Sequence, residues 1–187
     1  MSLKHSKIQK NKMSKIIWFT GMSGSGKSYY SDYIKEILKK ENLKVNVIDG
    51  DVIRDKYKIP VGFSFNEICQ NNKNIANICK EEYKNSDITI VSVITPYESI
   101  RKEIKKIFKN DLFYIYVYAD IESLKKRDTK GLYRKADIGL IDDMIGYSEK
   151  SLYEEPENAD LKLNTSSNIQ PKQNIELLSN FIYSKIL

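Results

Sequence analysis

The run Lys15–Ser28, KIIWFTGMSGSGKS, constrains this chain more than any other stretch. The five residues after Lys15, Ile16 to Thr20, are all β-branched or aromatic, which predicts a buried strand of the parallel kind over 15–20. The next eight place Gly21, Gly26, Lys27 and Ser28 at the spacing G-x-x-x-x-G-K-[ST]. From Ser28 to about Lys40 the periodicity turns helical, with Tyr29, Tyr33, Ile34, Ile37 and Leu38 at helical spacing. A strand, a glycine-rich turn and a helix in that order leave few folds open.

The residue types of the turn dictate its chemistry. Gly21, Met22, Ser23, Gly24, Ser25 and Gly26 form a loop whose backbone N–H groups can point inward at a polyphosphate, backed by the positive end of the helix dipole. The glycines permit close approach and positive φ. Lys27 would then bridge the β- and γ-phosphates, and the Ser28 hydroxyl would take a Mg²⁺ coordination position. A chance Gly/Ser turn would lack the flanking strand and helix, so the stretch is read as a nucleotide-phosphate site.

The rest of the chain alternates. Strands are expected at 44–48, 87–94, 112–118 and 161–163, and helices at 52–57, 66–84, 99–108, 121–127 and 174–186. On the helix at 66–84, Ile68, Ile75, Ile78 and Cys79 should face inward. Alternation of this kind predicts an α/β fold with a parallel sheet covered on both faces and functional residues at the carboxyl ends of its strands. Residues 128–151 are polar and charged, with Gly131, Gly139 and Gly146, and read as a mobile lid rather than core. One domain is expected over 14–187, with 1–13 a basic, disordered extension.

Composition excludes several classes. No apolar run approaches the roughly 20 residues that cross a bilayer, so no membrane partner is expected. A net charge of +6 admits anionic ligands, but the lysines are scattered and form no compact nucleic-acid-binding module. Cys69 and Cys79 would lie about 15 Å apart along one helix, too far for a disulfide. Free thiols suit a reduced, cytoplasmic protein.

Further motifs carry a resemblance. DGDVIR at 49–54, GFS at 62–64, ITPY at 94–97, RDTKGLY at 127–133 and YEEPENADLKLNT at 153–165 follow the glycine-rich loop in order. With it they make the chain, from Gly21 to about Thr165, similar to the adenylylsulfate kinases. The resemblance implies a P-loop kinase-type three-layer fold. It also implies transfer of the ATP γ-phosphoryl group, with Mg²⁺, to the ribose 3′-hydroxyl of a nucleotide carrying a 5′-anhydride. Homodimerisation is suggested by the family alone.

Carried over by position, Lys27, Asp51, Lys130 and Thr95 form the catalytic set. Asp51 would orient or deprotonate the acceptor hydroxyl, and Thr95, where the family usually has serine, would serve as a hydrogen-bonding group. Ser28 and Asp49 would serve the metal. Arg127 joins the donor side, and Lys130, with Arg127 and Lys135, brings positive charge over the transferring phosphoryl. The acceptor would meet Asp49, Arg54, Phe63, Asn71, Lys73, Ile94, Lys130, Gly131, Leu132 and Met144, with Arg54 on a phosphate and Phe63 stacked on the base.

Departures from the family pattern fall on the acceptor side. An Asp-Arg pair after Gly-Phe-Ser reads Glu67-Ile68, an Asn-x-Arg-Arg reads Asn71-Asn72-Lys73-Asn74, and a Phe-Thr-Gly reads Met144-Ile145-Gly146. An isoleucine can neither donate a hydrogen bond nor offset charge. Adenylylsulfate stands narrowly first as acceptor because most of the signature blocks survive, and the departures put cytidine diphosphoramidate, the substrate of a related kinase of capsule phosphoramidate synthesis, close behind. A non-catalytic nucleotide-binding module and a small-metabolite kinase such as a sugar kinase are the rivals.

Overall fold

Strand β1 (Lys15–Thr20) lies in the middle of a five-stranded sheet, where a run with Ile16 to Phe19 fully buried has to lie. The computed structural model describes residues 14–56, 62 and 64–187. Around β1 stand β2 (Val45–Asp49), β3 (Ile88–Ser92), β4 (Leu112–Tyr118) and β5 (Leu161–Asn164), in the order β2-β3-β1-β4-β5. Every neighbouring pair is parallel. In register, Phe19 and Asp49 both lie beside Ser92, and Thr20 beside Tyr116, so the carboxyl ends of four strands form one edge.

The connecting helices are α1 (Lys27–Lys40), α2 (Gly50–Lys56), α3 (Phe65–Glu82), α4 (Glu98–Phe108), α5 (Ile121–Arg127), α6 (Leu132–Asp137) and α7 (Pro171–Lys185). The alternation of side chains along β1 sorts them into layers. Ile16 and Trp18 pack with Ile68, Ile75 and Cys79 of α3 and with Ile100, Ile104 and Phe108 of α4. Ile17 and Phe19 pack on the opposite face with Tyr30, Ile34 and Leu38 of α1 and Leu178 and Ile182 of α7. Each such side chain stabilises the fold by about 1.5–3 kcal/mol when fully buried. The result is the three-layer P-loop kinase architecture.

The strands at 15–20 and 112–118 and the helix at 121–127 coincide with expectation, and most other bounds move by one or two residues. Three readings need correction. Tyr30, not Tyr29, belongs to the buried face of α1, and Tyr29 is exposed. Helix α7 starts at Pro171 rather than at 174, because proline lacks the N–H that a first helical turn leaves unpaired anyway. The segment 128–151 does carry core: Tyr133, Met144 and Leu124 form a small third cluster. The extension at 1–13 and Phe63 lie outside the described residues. Cys69 and Cys79 are free thiols on α3, and no helix among the described residues is long and apolar enough to cross a membrane.

Candidate active site

A cleft of about 890 Å³ opens over the carboxyl edge of the sheet. Its floor is the turn between β1 and α1. Gly21 has φ +153°, and a Cβ there would sit 2.0 Å from the carbonyl oxygen of Val117, so only glycine lets this turn rest on β4. Ser23 to Ser28 line the cleft, with Ser28 exposed in the first turn of α1. The Lys27 ammonium donates to the carbonyls of Gly21 (3.0 Å) and Met22 (2.9 Å), which folds it across the loop. Burial lowers its pKa to about 8, with Lys130 adding to the shift and Asp51 and Asp49 opposing it.

RDTKGLY divides its labour residue by residue. Arg127 donates to Gly24 O (3.2 Å), to Thr165 Oγ1 (3.2 Å) and to Thr165 O (2.7 Å), tying the loop to the end of β5. Asp128 accepts from the amides of Tyr133 and Arg134 and so caps α6. Gly131 supplies the left-handed residue (φ +65°) that starts that helix. Tyr133 is buried, and its hydroxyl donates to Ser23 O at 2.8 Å, fixing the lid segment to the phosphate loop. Lys130 and Leu132 remain on the cleft wall.

The opposite wall begins at the end of β2. One carboxylate oxygen of Asp49 accepts from the amides of Asp51 (2.8 Å) and Val52 (3.3 Å), capping α2. Gly50, Asp51 and Arg54 line the cleft with Ser92, Val93 and Ile94 from the end of β3. Asp51 is ion-paired with Lys130 across the opening. Partial burial alone would raise the Asp51 pKa; the hydrogen bond from Lys130, and the charges of Lys130, Lys27 and Arg54, outweigh it and hold the carboxyl below its usual range. The cleft thus joins Lys27, Asp51, Arg54, Arg127 and Lys130 in one volume.

Other sequence-derived site residues lie elsewhere. Thr95 is fully buried and does not line the cleft. Its hydroxyl accepts from Trp18 Nε1 (2.9 Å) and its amide donates to Thr20 Oγ1 (3.1 Å), so it serves the sheet end as a hydrogen-bonding residue. Lys73 forms an ion pair with Glu103 at 2.9 Å, on the flank shared by α3 and α4. Ile68 and Asn71 are buried on α3, Ile68 within the core. Met144 is buried against Leu124 and Tyr133, because its sulfur-bearing chain fills the lid cluster rather than the cleft. Asp49 and Gly131 support the walls without lining them.

Structural residues that sequence reasoning passed over include Thr165, which donates to Ser25 O at 2.9 Å, and Arg101, nearly fully buried. Arg101 donates to Thr95 O (2.7 Å) and Glu154 O (2.9 Å), docking the segment after the lid. Tyr153, partly buried and parallel to Tyr116, shares a 2.8 Å hydrogen bond with Thr20. A strand-end position was the available signal for Thr165; nothing local marks Arg101.

The family model for adenylylsulphate kinase matches residues 13–164. The chain belongs to the adenylylsulphate kinase family. An adenylyl-sulfate kinase of Prochlorococcus marinus is 40% identical over 167 residues, covering 88% of this chain and 82% of the relative. A probable adenylyl-sulfate kinase of Aeropyrum pernix is 34% identical over 91% of both chains. Among solved structures, the Mycobacterium tuberculosis APS kinase in complex with AMPPNP and APS superposes with a TM-score of 0.78 at 26% identity, over 91% of this chain and 98% of that one. ATP-dependent phosphotransfer of the adenylylsulfate kinase type follows for this member.

The family's ATP and Mg²⁺ can be tested against the residues present. No cluster of three or more His, Cys, Asp or Glu suited to a metal occurs among the described residues. Mg²⁺ fits nonetheless, since it usually takes one or two protein ligands and completes its shell with phosphate oxygens and water. Of the two expected ligands, Ser28 lines the cleft and is placed for it, while Asp49 stands behind the wall, one carboxylate oxygen capping α2.

A pH dependence follows from Lys27. Phosphate oxygens favour the charged ammonium, so nucleotide binding takes up a proton wherever free Lys27 is neutral. Affinity for ATP is expected to be flat below about pH 8, set by Lys27 of the free protein, and to fall above it by up to about tenfold per pH unit. Calorimetric titrations across the alkaline range check this; an unchanged affinity there would mean that Lys27 is not desolvated.

Proposed function

We propose that this kinase phosphorylates the ribose 3′-hydroxyl of a nucleotide with a 5′-anhydride, with adenylylsulfate as its first acceptor. The observation that carries the reading is the meeting, in one cleft, of the phosphate loop with Asp51 and Arg54 from the opposite wall. Mg²⁺, when bound, neutralises charge on the β- and γ-phosphate oxygens. Lys27 leaves the carbonyls of Gly21 and Met22 to take up phosphate oxygens. The acceptor 3′-oxygen forms its bond to the γ-phosphorus as the bond to the ADP oxygen breaks. With its carboxyl held ionised by Lys130, Asp51 accepts the hydroxyl's hydrogen bond, orients it and takes its proton as the new bond forms; in a loose transfer that depends on positioning and charge, the orientation counts for more than the proton transfer. Arg54 offers a guanidinium fork to the acceptor phosphate.

A second acceptor, cytidine diphosphoramidate, is favoured by a specific observation. Ile68 is buried in the core and Lys73 is paired with Glu103, so neither position offers the cleft a cation for an anionic end group. An acceptor ending in an uncharged nitrogen would not need one. The deciding experiment is γ-phosphoryl transfer from labelled ATP with Mg²⁺, run in parallel on both nucleotides. Adenylylsulfate used at least about tenfold more efficiently, a difference of about 1.4 kcal/mol in transition-state binding, supports the first reading. The reverse preference supports the second, and no transfer to either leaves a non-catalytic nucleotide-binding protein or a kinase for another small molecule.

A further inference from the structure

Asn72 is a buried amide on α3, only 1% exposed, among the apolar side chains of the α3 layer. Its Nδ2 donates to Ile68 O (3.0 Å), one turn back in the same helix, and to Ile94 O (3.2 Å), beyond the end of β3. Its Oδ1 is buried with no hydrogen-bond partner among the described residues. A buried acceptor left unpaired is costly, and a leucine of similar shape would fill the space without that cost. The amide is therefore not explained by packing.

The bond to Ile94 supplies the explanation. Ile94 lines the cleft with Val93, and Val93 bears directly on the turn that carries Asp51: a Cβ on Gly50 would meet Val93 Cγ2 at 2.7 Å. The residues on either side of Ile94 have their own partners, Val93 N on Phe19 O (3.2 Å) and Thr95 on Trp18, Thr20 and Arg101. We infer that Asn72 is a positioning residue for the acceptor wall, holding the Ile94 carbonyl and through Val93 and Gly50 setting the place of Asp51. This rests on the acceptor reading above for its kinetic consequence, though not for its structural one.

Asn72→Leu in the full chain tests it with two kinds of readout. Expected are a melting temperature equal to or above that of the wild type, an acceptor KM raised about tenfold and an ATP KM within about twofold of wild type. Amide hydrogen exchange should quicken at 93–95 and 50–52 while 21–28 stays unchanged. An unmoved acceptor KM with unmoved exchange overturns the inference. So does a lower melting temperature with both KM values raised together, the mark of a purely structural residue. Should leucine not fit, Asn72→Ala carries the same readouts, and failure of both variants to fold also overturns it. If the wild type phosphorylates neither nucleotide, the acceptor reading falls alone, and hydrogen exchange decides the role of Asn72.

Discussion

Lys27→Met is expected to abolish phosphoryl transfer while leaving the ligand-free protein at least as stable as the wild type. Removing one preorganised charge at a transferring phosphoryl costs on the order of 10²–10³ in rate or more, and Lys27 also anchors the donor itself. The stability arm runs the other way. The Lys27 pKa in the folded protein is lowered from 10.5 to about 8, so the fold disfavours the charged ammonium. At neutral pH that charge works against folding, by on the order of 1–3 kcal/mol before the loss of its two carbonyl contacts is set against it. Wild-type stability from this source rises as pH climbs from about 8 towards 10.5, so any advantage of the methionine variant should shrink over that window. Thermal melts at pH 7 and at pH 10 measure this directly. A variant markedly less stable at pH 7 would show that the carbonyls of Gly21 and Met22 need the ammonium more than the ammonium needs water.

The second large effect concerns the pair that spans the cleft. Asp51→Asn and Lys130→Met are each expected to lower kcat by on the order of 10²–10³ with little change in the KM for ATP. Each removes charge from the acceptor side and leaves the phosphate loop untouched. Because Asp51 and Lys130 are ion-paired, the double variant should lose much less than the product of the two single losses. Both side chains are at least half exposed, so the pair itself contributes little to stability, and melting temperatures should barely move. Strict additivity in kcat would mean that the two groups act on different steps.

How much of this was legible in the sequence depends on the range over which each signal acts. The donor loop was readable because its chemistry is local: glycines, a lysine and a serine at fixed spacing between a strand and a helix. The same holds for the strand periodicity that sorts Ile16 and Trp18 from Ile17 and Phe19. Met144 and Lys73 were misplaced for the opposite reason. Whether a methionine covers a ligand or fills a lid cluster, and whether a lysine faces a cleft or meets Glu103, depends on partners far along the chain. Thr95 was assigned by analogy with a serine, but its surroundings are Trp18 and Thr20, more than 70 residues away in sequence. Arg101 shows the limit most plainly, since an arginine in an amphipathic helix looks solvent-facing until its carbonyl partners at Thr95 and Glu154 are known.

The order of the sheet has a consequence for how such a protein can change. Because β1 is central, the braces of the phosphate loop come from its β4–β5 side, through Arg127 and Thr165, while Asp51, Arg54, Val93 and Ile94 hang from β2 and β3 on the other. Substitutions on one flank need not disturb the other. Such a scaffold can trade one acceptor for another by altering α3 and its neighbours, and keep its phosphoryl donor throughout. The isoleucine at 68 and the lysine at 73 both lie on that exchangeable half.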